Sequence, residues 1–109
     1  MSRWIKLASS AQVEAGKVKI FEASGRRIAL CNSEGLFFAV QDVCSHDDGP
    51  LGEGRLCGQE IECPRHGARF DIRSGAATRM PAVVAIQVFK TKVQDGDVLV
   101  ELEDEAVEA

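Results

Sequence analysis

Cys44-Ser45-His46 and Cys63-Pro64-Arg65-His66 are separated by sixteen residues, and each segment offers a thiol followed closely by an imidazole. Both histidines of the chain and two of its four cysteines fall inside these segments. Such pairs are metal-ligand chemistry. A tetrahedral zinc ion accepts two cysteines and two histidines, but the usual order places both cysteines in one knuckle and both histidines later. Here each segment is mixed. That order suits a binuclear iron–sulfur centre in which one iron keeps two cysteines and the other takes two histidines. A zinc site, or four unrelated core and surface residues, stand as the alternatives on spacing alone.

The stretch from Cys44 to about Pro81 resembles a Rieske ferredoxin, of the kind that serves bacterial ring-hydroxylating dioxygenases and related oxygenases. Cys63-Pro64-Arg65-His66-Gly67 is similar to the second ligand loop of that family. Cys44-Ser45-His46, with the polar turn Asp47-Asp48-Gly49-Pro50, is similar to the first. Asp71, Ser74 and Gly75 stand where the family returns to a strand and tight turn, and Met80-Pro81-Ala82 resembles its third, proline-bearing loop. The resemblance implies one Rieske-type [2Fe–2S] cluster per chain, with Cys44, His46, Cys63 and His66 as ligands, and His46 and His66 facing solvent. It implies an all-β fold: an antiparallel β-sandwich or barrel with an inserted cluster-binding subdomain at about 43–80. Outside the motif stretch, the likeness rests on length and strand pattern.

Two departures within the resemblance bear on the potential. High-potential members carry two further cysteines, bridged to each other, where this chain has Gly49 and Arg65. They also carry a serine and a tyrosine whose hydroxyls donate to the cluster, where this chain has Ala68 and Phe70 and no tyrosine anywhere. Hydrogen-bond donors stabilise the more negative reduced state, so their loss lowers the potential. The expectation is a value near the low end of the Rieske range, about −150 mV rather than about +300 mV.

The chain length of 109 residues is that of one domain with a modest core, and a 45% hydrophobic share is ordinary for a globular chain. No apolar run approaches the about 18 residues of a membrane span. The start, Met1-Ser-Arg-Trp-Ile-Lys-Leu7, carries no apolar signal-like stretch, so the expected compartment is the cytoplasm. A reducing compartment leaves Cys31 and Cys57 as thiols, a disulfide between them being the less favoured reading.

The pattern along the chain is β throughout. Trp4–Leu7 and Val18–Ile20 alternate, and Arg27–Cys31 and Leu36–Val40 flank the turn residues Asn32–Gly35. Leu56 to Ile61 reads as a hairpin around Gly58-Gln59, and Phe70 to Ile72 as a short strand. Val83 to Val93, rich in β-branched residues, reads as a strand that turns at Gln94–Asp97 into Val98–Val100. Residues 11–15 hint at a helical turn.

Residues 101–109 hold five acids and no base, and without them twelve acidic residues face thirteen basic ones. This acidic tail reads as a solvated, frayed terminus. No basic stripe with aromatic interleaving points to nucleic acid. No Gly-x-Gly-x-x-Gly fingerprint or phosphate loop is present. Both histidines are committed to the motif, so none is left for the mononuclear iron of an oxygenase. The expected role is therefore a monomeric one-electron carrier, not catalytic alone, between a flavin-dependent NAD(P)H reductase and a terminal oxygenase. The small subunit of assimilatory nitrite reductase, similar in size and fold, is the runner-up. A zinc-bound structural or interaction module is the more distant alternative.

Overall fold

Residues 2–44 and 49–103 are described by the computed structural model. Among them eleven strands form three antiparallel sheets. The strands are β1 (Ser2–Ser9), β2 (Val18–Ala23), β3 (Arg26–Ser33), β4 (Leu36–Gln41), β5 (Arg55–Cys57), β6 (Glu60–Glu62), β7 (Arg69–Asp71), β8 (Ala77–Arg79), β9 (Val88–Phe89), β10 (Thr91–Gln94) and β11 (Asp97–Glu103). An outer sheet runs β1-β11-β10, a central sheet β2-β3-β4-β9 and a motif sheet β5-β6-β7-β8. The all-β reading is borne out. The expected helical turn is one 3₁₀ turn at Ser10–Gln12, capped reciprocally by Ser9 and Gln12.

The central sheet is covered on both faces, and β3 shows why. Side chains alternate across a strand. Ile28 and Leu30 join Ala39, Val98, Val100 and Leu102 in a core against the outer sheet. Ala29 and Cys31 join Val40, Ile61, Phe70 and Ile72 in a second core against the motif sheet. The apolar run Ile28-Ala-Leu-Cys31 is thus the signature of a strand with no solvent face. The β3–β4 turn is local chemistry. Glu34 and Gly35 both have positive φ (54° and 89°), as a two-residue hairpin turn of this twist requires. The Asn32 side chain accepts from Gly35 N at 2.8 Å and donates to Val13 O at 2.8 Å.

The β5–β6 hairpin lies around Gly58-Gln59, with Leu56 opposite Ile61. The long strand expected from Val83 to Val93 is corrected. Only Val88–Phe89 and Thr91–Gln94 are strands, while Val83 and Val84 are exposed in a connection. That connection crosses from the motif sheet to the central sheet. Its amides bond singly, Ala82 N to Arg79 O and Ile86 N to Gly75 O, rather than to a ladder. β-branched composition makes a strand only where a neighbouring strand is in reach. Strand β8 had no sequence signal. Glu101 and Leu102 belong to β11 and pair with Trp4 and Arg3 of β1, so the ladder continues into what read as tail. Residues 104–109 lie outside the described ones.

Candidate metal centre

Cys44 ends the segment that leaves β4, and Cys63 follows β6 directly. Both are buried, at 0% and 1% exposure, in the core between the central and motif sheets. His66 is exposed three residues after Cys63. His46, with Ser45, Asp47 and Asp48, lies outside the described residues. Among the described residues, no three Cys, His, Asp or Glu side chains gather as ligands of one ion would. The two thiols share a core, and the imidazole stands at the surface.

Backbone bonds shape both loops. Cys44 N donates to Gly49 O at 2.8 Å, which holds these two residues of the first loop together. Cys63 N donates to Ala68 O at 2.7 Å and Gly67 N to Cys63 O at 3.1 Å, closing the second. Gly67 has φ +74°, a conformation few side chains tolerate. Its amide closes the turn. In the third loop Ala82 is buried in the core of Cys44 and Cys63, while Met80 is exposed.

Two residues matter here more than their sequence signal suggested. Asp42 sits two residues before Cys44 with its side chain wholly buried. Its carboxylate accepts from Leu51 N at 2.9 Å, Gly52 N at 2.6 Å and Arg27 Nε at 3.1 Å. It therefore ties the far end of the first loop to the edge of β4. Arg65 is the other: its guanidinium donates to Pro50 O at 3.1 Å and to Cys63 Sγ at 3.3 Å. A Cβ placed on Gly49 would overlap that guanidinium, so the places of Gly49 and Arg65 do face each other.

Around the loops, Ala68 and Phe70 are both fully buried. Cys31 is buried too, and burial pushes its thiol up to about 12, which keeps it protonated and unreactive. None of the four cysteines is in a disulfide.

The Rieske [2Fe-2S] domain pattern matches residues 3–90. The chain belongs to the Rieske [2Fe-2S] domain family. One relative, the ferredoxin component of biphenyl 2,3-dioxygenase from Rhodococcus jostii (strain RHA1), is 43% identical over 98 residues, covering 90% of this chain and 92% of that one. A chain in the complex of reduced oxygenase and oxidized ferredoxin of carbazole 1,9a-dioxygenase superposes with TM-score 0.83 at 32% identity, over 89% of this chain and 91% of that one. A chain assigned as the small subunit of an NADH-dependent nitrite reductase from Mycobacterium tuberculosis superposes with TM-score 0.85 at 17% identity, over 95% and 98%. That last likeness shows the fold alone.

Membership gives this Rieske domain a [2Fe–2S] cofactor and displaces the zinc reading. The described residues fit the group. The Cys44 and Cys63 thiols lie inside one core and the His66 imidazole lies at the surface, so the thiol and imidazole chemistries that such a cluster takes are both present. Among the described residues, no helix is long and apolar enough to cross a membrane.

Proposed function

We propose that this chain is a low-potential Rieske ferredoxin that takes one electron at a time from a flavin-dependent NAD(P)H reductase and delivers it to a separate terminal oxygenase. Cys44 and Cys63 hold one iron, and His46 and His66 hold the other. When bound, the cluster supplies the one-electron chemistry. The protein contributes shielding, orientation and a point of approach. Buried Cys44 and Cys63 keep water from the sulfur side, and exposed His66 offers the short path to a docked partner. Buried Ala68 and Phe70 give no hydroxyl to the cluster, which favours a potential near about −150 mV. Residues of about 43–80 act as the cluster-binding unit, and the outer and central sheets act as its scaffold. The expected form is a cytoplasmic monomer.

The observation that carries this reading is the 43% identity to a dioxygenase ferredoxin component across 92% of that component. The match at 32% identity within an oxygenase–ferredoxin complex supports an oxygenase as the electron acceptor. Two measurements test it. Dithionite-reduced protein should give a rhombic Rieske EPR signal with two irons and two sulfides per chain. The oxidised protein should then be reduced by a flavin reductase with NADH and reoxidised by a dioxygenase component. A colourless protein holding zinc would end the reading, and a good Rieske signal without transfer to any oxygenase would end the oxygenase assignment.

A further inference from the structure

Arg65 is exposed, yet its guanidinium is turned back onto the protein. Nη1 donates to Pro50 O in the first loop, and Nη2 reaches Cys63 Sγ in the second. The group lies in space left by Gly49, where any side chain would collide with it. Gly49 in turn receives the Cys44 amide through its carbonyl. One planar cation therefore touches the Cys63 thiol directly and the residue next to Gly49, the backbone partner of Cys44. The β5–β6 ladder joins the far end of the first loop to the start of the second at Arg55 and Glu62, and the Arg65 contacts tie the two loops again, nearer the thiols.

We propose that Arg65 is a positioning residue that latches the two ligand loops across the Gly49 gap and sets a positive charge against the Cys63 sulfur. This rests on the assignment of Cys44 and Cys63 as ligands. A donor to a ligand sulfur favours the more negative, reduced cluster, and so raises the potential. It opposes the lowering that follows from Ala68 and Phe70. The planar fork matters as well as the charge. A lysine supplies a point charge and cannot span a carbonyl and a sulfur in the same fixed geometry.

The test uses cluster-loaded Arg65→Met, Arg65→Lys, Gly49→Ala and the double variant Arg65→Met/Gly49→Ala. Two properties are read: the reduction potential, and the half-life of the visible absorbance under an iron chelator. Arg65→Met should move the potential in the negative direction and shorten the half-life about threefold or more, the scale of losing charge-assisted bonds. Arg65→Lys should keep the potential near wild type while still shortening the half-life. Gly49→Ala keeps the arginine but fills its seat, so it should reproduce both losses. The double variant should then be no worse than Arg65→Met, because each change removes the same latch. Wild-type values in Arg65→Met, or additive losses in the double variant, would overturn the latch. The wild-type EPR spectrum is recorded first. Its failure would strike the ligand assignment, whereas a good wild-type spectrum with an indifferent Arg65 strikes only this proposal.

Discussion

At the scale of single residues, the proposed site separates groups assigned to hold the cluster from groups assigned to tune it. His66 is exposed, so removing its imidazole leaves the core intact. His66→Ala should abolish the rhombic EPR signal while the far-UV spectrum stays that of a β protein; an unchanged signal would refute the ligand assignment. Tuning falls to Ala68 and Phe70, both at 0% exposure in the walls around the thiols. Ala68→Ser and Phe70→Tyr should each raise the potential, as voltammetry would show, if their new hydroxyls donate to the cluster. A buried hydroxyl that finds no partner costs about 1–3 kcal/mol. A variant that loses stability without gaining potential would therefore mean that its hydroxyl points elsewhere. The Cys and His pairs proposed as ligands were legible in the sequence because residue type and spacing are local. The work of Arg65 was not, since its partners Pro50 and Gly49 lie fifteen and sixteen positions earlier in the chain.

At the scale of elements, the first loop is held at both ends by different means. Cys44 and Gly49 close it through the backbone, and Asp42 binds its exit at Leu51 and Gly52. Among the described residues, no buried side-chain nitrogen or oxygen lacks a partner, so the pattern around Asp42 has no slack. Asp42→Ala strands two amides, and each unsatisfied buried group costs about 1–3 kcal/mol. A lower thermal midpoint and faster cluster release are the expected results. Asp42→Asn keeps one acceptor oxygen and should lose less. Equal cluster release in wild type and Asp42→Ala would show that Asp42 does not hold this loop. Arg27 is half exposed and its freed guanidinium can return to water, so its side of the pair adds little.

At the scale of the whole molecule, three layers divide the labour. The outer and central sheets bury a purely apolar core, and the core between the central and motif sheets receives the two thiols. Across the motif sheet runs a row of charges in ladder register: Arg55 on β5, Glu62 on β6, Arg69 on β7 and Arg79 on β8. Glu62 accepts from Arg55 Nε at 2.8 Å and Arg69 Nε at 3.3 Å, and lies 3.8 Å from Arg79. The Arg55 hydrogen bond is the foremost cause holding the Glu62 carboxyl below its ordinary 4.5. Asp71 is likewise held below 3.8, first by its bond to Arg73. A carboxyl with a depressed folded value stabilises the fold fully above its ordinary range and loses that contribution as pH falls through the depressed value. The difference in thermal midpoint between wild type and Glu62→Gln should thus be flat from about pH 7 to about pH 5 and shrink below about 4.5. A difference that does not change with pH would mean that the row contributes packing alone.

The sequence by itself determined the paired Cys and His residues and their spacing, the β pattern and three of the hairpin turns. Each of these depends on residues within a few positions of one another: a Cys and a His in one loop, alternation along one strand, a Glu-Gly pair at positive φ. It could not decide which side of β3 meets which sheet, or that Val83 and Val84 would be left exposed outside any ladder. Nor could it show that Arg65 would turn back into the gap at Gly49, or that Asp42 would reach forward to Leu51 and Gly52. These outcomes depend on surfaces brought together from distant parts of the chain. Alternation fixes that a strand has two faces, and only packing against the other sheets decides what each face meets.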